Sequence, residues 1–154
     1  MRAVNELAFG GPSEADIIDA VRPFEGVVSL VAAERGRVIG HILFTTVRID
    51  DAGSAVRAAG LGPMAVAPDG QRQGVGSRLV RAGLDACRAH GYDLVVVVGH
   101  PDYYPRFGFV PAGTKGLRCE YPVPPEAFMV LELRPGASAG VAGVVRYLPE
   151  FTPA

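Results

Sequence analysis

Residues 57–98 limit the folds open to this chain more than any other stretch. Residues 57–66 read as a strand, and Pro68-Asp69-Gly70 breaks it. Residues 74–90 then set Val75, Leu79, Ala82 and Ala86 on one face at helical spacing, and Gly91 supplies a stop. Leu94-Val95-Val96-Val97-Val98 is wholly apolar, as expected of a strand covered on both faces. A strand, a crossover helix and a second buried strand make a βαβ unit, hence a parallel pair within one sheet.

The flanking sequence predicts antiparallel additions to that pair. Residues 27–33 are apolar and β-branched, Glu34-Arg35-Gly36-Arg37 reads as a tight turn, and residues 38–47 return as a second strand, giving a β-hairpin. Gly62-Pro63 interrupts the 57–66 strand, and because proline cannot donate to a ladder it predicts a bulge or an unpaired edge. A loop is expected over 50–54, a short helical turn near 102–107, a strand over 128–133, and a β-rich tail over 141–147. Toward the N-terminus, residues 2–9 have helical character, and Ser13 is a good N-cap for a helix carrying Ile17, Ile18 and Val21. Antiparallel strands followed by a βαβ unit define an α/β (α+β) fold with a mixed sheet.

With 154 residues, 49% of them hydrophobic and 20% charged, the chain suits one domain with a real core, and it is read as one domain over 1–154. A net charge of −1 argues against a nucleic-acid partner. No apolar run approaches the roughly 18 residues needed to span a bilayer, and Met1 is not followed by a signal-peptide pattern, so a cytoplasmic address is expected. Cys87 and Cys119 are too few for a disulfide scaffold or a zinc site of their own.

The chemistry is concentrated where the 57–66 strand feeds the helix. Gly74 and Gly76 stand at the helix entrance, where backbone N–H groups are unsatisfied, glycine lets an anion approach them, and the helix dipole favours it. Arg72 and Arg78 are placed to add charge-assisted bonds to a phosphate. A dinucleotide fingerprint would need Gly where Leu79 stands, and a Walker loop would need a Gly-Lys pair, whereas the only lysine is Lys115.

Gln71-Arg72-Gln73-Gly74-Val75-Gly76 resembles the Q/R-x-x-G-x-G/A signature of the GNAT N-acetyltransferases. The likeness continues in order through Gly91-Tyr92, the 94–98 strand and Tyr104-Pro105-Arg106-Phe107-Gly108-Phe109. Val38-Ile39-Gly40-His41-Ile42-Leu43-Phe44 and Gly99-His100-Pro101-Asp102-Tyr103-Tyr104-Pro105-Arg106-Phe107-Gly108 look like the YhbS-like bacterial branch. The resemblance spans about residues 13–133, leaving 134–154 as a C-terminal extension. It implies a mixed, mostly antiparallel sheet with a V-shaped splay and helices on both faces. It also implies acetyl-CoA as cosubstrate with no metal, a primary amine as acceptor, direct transfer, and a monomer or homodimer. A non-catalytic acyl-CoA-binding sensor of the same fold is the alternative.

By the same resemblance, Met64 and Val66 lend main chain to the pantetheine arm while Ala65 between them faces the opposite side within the same cofactor-binding segment, and Gln71, Arg72, Gln73, Gly74, Val75, Gly76, Ser77 and Arg78 cradle the pyrophosphate. Tyr104 aligns with the family's acid, and a phenol is a sensible proton donor to a departing thiolate. Tyr103 beside it is the competitor. Many relatives carry a basic glutamate on the strand before the loop, but residues 57–66 here hold no carboxylate. An imidazole titrates near neutrality, which makes His100, just past the buried strand, the first candidate base; His41, Glu120 and Tyr121 are others. Cys119 would need an activating partner to act as a nucleophile, and the sequence identifies none. The resemblance implies a first strand ahead of Met1, so either the start site is assigned too late or that strand is expected to be lacking, with the 27–33 strand then an edge covered by the 141–147 segment, by another subunit, or poorly.

Overall fold

The computed structural model describes residues 26–50, 56–68, 74–139 and 141–148. The expectations for the N-terminal helices, most of the 50–54 loop, and Gln71, Arg72 and Gln73 lie outside these residues. In chain order the elements are β1 (Val28–Glu34), β2 (Arg37–Ile49), β3 (Ala58–Val66), α1 (Val75–Ala89), β4 (Leu94–Val98), β5 (Val110–Pro111), β6 (Leu117–Cys119), β7 (Phe128–Glu132) and β8 (Gly143–Arg146). The strands form one mixed sheet in the order β5-β7-β4-β3-β2-β8-β6, with β1 also on β2.

The β1–β2 hairpin turns where the sequence predicted. Arg35 and Gly36 have φ of 51° and 78°, and positive φ at both central positions matches the right-handed twist of the strands they join. As expected of a βαβ unit, β3 and β4 are parallel, from Ala58 opposite Leu94 to Leu61 opposite Val97. Their start is clamped: the Arg57 N–H donates to Asp93 Oδ2 at 3.0 Å, and the Asp93 N–H donates to the Arg57 carbonyl at 2.7 Å. Their far end is loosened by the bulge. Ile42 faces Met64 and Phe44 faces Leu61, so Gly62 and Pro63 together oppose Leu43 alone. Clamped at one end and bulged at the other, the two strands part as a V.

α1 covers one face of this sheet, and two glycines bring it close. A Cβ at Gly40 would stand 2.9 Å from Leu79 Cδ1, and one at Gly83 would run into the Phe44 ring. Ile42, Phe44, Leu61, Val95 and Val97 form the core beneath the helix, while Val47, Leu94, Val96, Phe128 and Val145 form a second core on the opposite face. The helix ends as predicted at Gly91, with the Tyr92 N–H donating to the Cys87 carbonyl and the Gly91 N–H to Arg88.

One expectation is corrected. The C-terminal segment does not cover the outer edge of β1: β8 pairs with β2 at Arg48 and Ile49 and runs parallel to β6. It occupies the stretch of β2 that β1, whose register stops at Phe44, leaves open. Arg146 fixes it there through Asp50 Oδ2 at 2.8 Å, and the Tyr147 N–H donates to Glu120 Oε1 at 2.7 Å. Among the described residues no helix is long and apolar enough to cross a membrane.

Candidate functional site

The site is built where β3 leaves β4 and the chain enters α1. The Ala67 N–H donates to the Ile39 carbonyl at 2.7 Å, so Ala67, and by strand alternation Ala65, direct their main chain toward β2. Met64 and Val66 therefore direct theirs toward the side from which β4 has diverged. This is the alternation expected from the sequence.

Gly74 caps α1 with φ of 79°, a left-handed conformation that favours glycine. The first intrahelical bond runs from the Arg78 N–H to the Gly74 carbonyl at 3.0 Å, leaving Val75, Gly76 and Ser77 with N–H groups that have no partner within the helix. The first turn carries no acidic residue and no side-chain cap. Nothing in that turn competes with an external anion. Gly76 has a further role: a Cβ there would point inward, 3.3 Å from the Tyr103 hydroxyl and 3.7 Å from Met64 Cε. Its smallness lets the helix start sit against Met64 and Tyr103.

At the carboxyl end of β4 the chain bends through Gly99 and His100 into a short 3-10 turn over Tyr104–Phe107. The His100 carbonyl accepts from the Tyr103 and Tyr104 N–H groups at 3.1 and 3.4 Å. Tyr104 is buried, its ring so close on the Gly99 backbone that a Cβ there would overlap it. Tyr103, Phe107 and Phe109 surround it, with ring centroids 5.0, 6.4 and 5.7 Å away. Burial, with the neighbouring Tyr103 adding to it, pushes the Tyr104 phenol up to about 12, so it is held protonated. Tyr103 reaches the other way: its hydroxyl lies 3.2 Å from Ser77 Oγ in the first turn of α1, and the Arg106 guanidinium lies over its ring at 4.5 Å.

The candidate bases separate by environment. His100 is exposed in the turn after β4, four residues before Tyr104. His41 is fully buried on the face away from α1 and shares a 2.9 Å hydrogen bond between Nε2 and Ser29 Oγ. Glu120 is occupied by the Tyr147 N–H and by Arg146, 3.7 Å from Oε2. Burial, followed in weight by a Tyr121 backbone bond that opposes it and by Glu120, leaves the Cys119 thiol raised, the reverse of what a nucleophile needs. Among the described residues no three His, Cys, Asp or Glu side chains converge to hold a metal ion. The structure thus brings Met64, Gly74, Gly76, Ser77, Tyr103 and Tyr104 into one region and leaves His41 and Glu120 in structural roles. The Ser77–Tyr103 contact joins residues 26 apart, and no local pattern announces it.

Comparison with known proteins gives this geometry a context. The profile of the acetyltransferase (GNAT) domain matches residues 1–112. The uncharacterised N-acetyltransferase YjhQ of Escherichia coli K12 is 41% identical over 130 residues, 82% of this chain and 72% of that one. YhbS of the same strain, also named an uncharacterised N-acetyltransferase, is 35% identical over 152 residues, 97% of this chain and 89% of that one. The crystal structure of E. coli YhbS in complex with CoA superposes with a TM-score of 0.89 at 35% identity, over 97% of this chain and 83% of that one. A GNAT acetyltransferase of Brucella melitensis in complex with acetyl-CoA gives 0.78 at 34% identity, over 98% and 89%.

Proposed function

This chain belongs to the GNAT acetyltransferase family, and we propose that it moves the acetyl group of acetyl-CoA to a primary amine by direct transfer, with Tyr104 as the acid. The carrying observation is the alignment of three features: an unacidic helix start at Gly74, main chain of Met64 turned to the gap between β3 and β4, and a buried, protonated phenol at the end of β4. Relatives 34–35% identical over nearly the whole chain are seen with CoA or acetyl-CoA, which supports the same ligand here.

The N–H groups of Val75, Gly76 and Ser77 suit a pyrophosphate, with Arg78 and the loop residues Gln71, Arg72 and Gln73 assigned to it by the family signature. Ala65 turns its main chain toward β2 and supports Met64 and Val66 in receiving the pantetheine arm. In the transfer step the amine nitrogen bonds to the carbonyl carbon, the C–S bond breaks, and Tyr104 gives its proton to the departing sulfur. His100, exposed in the turn after β4, takes the proton that the amine must lose.

Thiol release from acetyl-CoA with a panel of primary amines tests this reading, alongside calorimetry with CoA. Amine-dependent thiol release is the expected result. CoA binding without release under any amine would reassign the chain to a sensor or scaffold of the same fold. Loss of both would remove the ligand assignment.

A further inference from the structure

The face of the sheet away from α1 carries a second feature at the same gap. The Tyr147 ring lies over the backbone of Gly60, where a Cβ would stand 2.9 Å from Cε1. Gly60 immediately precedes the Leu61-Gly62-Pro63 bulge that opens β3 from β4. Tyr121 stacks on Tyr147 with centroids 5.8 Å apart and planes 26° apart. Tyr121 also lines a cavity of about 250 Å³, whose walls include Leu117, Arg118, Cys119, Val123 and Phe128. Phe128 is the cross-strand partner of Val98, which is 42% exposed, and the Ala127 carbonyl accepts the Gly99 N–H at 2.9 Å. Phe128, beside the end of β4, and Tyr121, stacked on the Tyr147 ring over Gly60 of β3, thus place the cavity on the face of the sheet opposite the helix, next to the ends at which β3 and β4 part.

The geometry points to this cavity as the acceptor site, shaped for a primary amine with an aromatic or branched apolar body. The inference rests on the proposed transfer reaction, which places the donor on the α1 side and leaves this face for the amine. Aromatic and aliphatic walls favour an apolar body and supply few polar partners. They also favour the neutral amine that the attack requires, because a low-dielectric lining disfavours the ammonium form. Neither neighbouring charge opposes that. Arg118 repels a cation, and the nearby carboxylate, Glu120, is held by Arg146 and the Tyr147 N–H. The same features disfavour polyamines and aminoglycosides, which carry several positive charges into a site that has no open carboxylate among the described residues of its lining.

The test compares 2-phenylethylamine with spermidine and kanamycin in thiol release, using the full chain and Gly113→Leu. Gly113 lines the cavity, and a Cβ there meets nothing within 4 Å, so a longer side chain adds bulk at the cavity without crowding the fold. We expect kcat/KM for 2-phenylethylamine to exceed that for spermidine and kanamycin by at least about tenfold. Gly113→Leu should raise its KM by about fivefold or more while the KM for acetyl-CoA stays within about twofold. A preference for either polycation, or an unchanged amine KM in Gly113→Leu, overturns the cavity assignment and leaves the transfer reaction standing. If the protein binds CoA and no amine releases thiol, the transfer reading fails. Calorimetry of 2-phenylethylamine on CoA-loaded protein then decides the cavity: binding weakened by Gly113→Leu upholds it as a ligand site, and absence of binding overturns it.

Discussion

The Tyr103 hydroxyl lies 3.2 Å from Ser77 Oγ, so the turn that presents Tyr104 is tied to the first turn of α1. Adjacent tyrosines thereby take different tasks. Tyr104 is buried against Gly99 with its phenol protonated, whereas Tyr103 bridges the two halves of the site. Tyr104→Phe should lower kcat by roughly ten- to a thousand-fold with little change in CoA affinity, as for loss of a positioned acid. Tyr103→Phe removes one neutral hydrogen bond, about 0.5–1.5 kcal/mol, and should raise the KM for acetyl-CoA by roughly two- to tenfold with a smaller effect on kcat. Ser77→Ala should match it, and the double variant should add little to either single one. If Tyr103→Phe instead abolishes turnover and Tyr104→Phe does not, the roles are reversed.

Gly99→Ala offers a test of Tyr104 that leaves its hydroxyl in place. The added Cβ would overlap the Tyr104 ring, forcing the phenol out of position or the strand end to shift. Overpacking of this kind costs about 1–3 kcal/mol. The expected result is a folded protein with a lowered urea midpoint, near-normal CoA affinity and a kcat reduced toward that of Tyr104→Phe. Full turnover in Gly99→Ala would show that the ring position does not matter to the chemistry.

Local signals carried much of this architecture. Residues 94–98 read as a doubly covered strand because they are uniformly apolar, which holds for 94–97 while Val98 at the strand end is exposed, and Arg35-Gly36 had to turn because only a left-handed pair joins strands so closely spaced. The Gly62-Pro63 bulge was legible for the same reason, a residue that cannot donate to a ladder. What periodicity cannot convey is which distant segment a strand will meet. Leu117–Cys119 is three residues long and becomes a strand only because Gly143–Arg146 lies beside it, and β8 chose the open end of β2 over the edge of β1 through Arg146 and Asp50. At the site, the glycine loop and Tyr104 were readable as a family signature. The Tyr121–Tyr147 stack over Gly60 depends on β8 and could not be read before its pairing was known.

Glu120 and His100 were both open to reading as the base, and their surroundings now separate them. Glu120 holds the Tyr147 N–H at 2.7 Å and sits 3.7 Å from an Arg146 nitrogen, so its work is to seat β8. Glu120→Gln should lower the urea midpoint and leave kcat near wild type. His100→Ala should leave the midpoint unchanged, since the exposed ring packs little, and lower kcat by roughly tenfold or more. Paired kcat and urea measurements on the two variants check the division. Loss of turnover in Glu120→Gln at an unchanged midpoint would move the proton-accepting role to Glu120.

Alkaline pH should unfold this protein through its buried acids. Burial pushes the Cys87 thiol from 9.0 up to about 12 and the Tyr104 phenol from 10.0 up to about 12, and it raises Tyr147 further still. Each group has a higher pKa folded than unfolded, so above the unfolded value the unfolded chain releases its proton first and stability falls. The contribution is fully present below about pH 9 and is lost as pH climbs through about 12. In between, each such group removes about 1.4 kcal/mol per pH unit. The urea midpoint should be flat from pH 7 to about 8.5, decline from about 9 as Cys87 enters, and steepen beyond about 10 as the tyrosines join. Cys87→Ala should weaken the decline between about 9 and 10, leaving the smaller part owed to half-buried Cys119. A midpoint that holds steady to pH 11 in the parent protein would mean that these groups are open to solvent in solution.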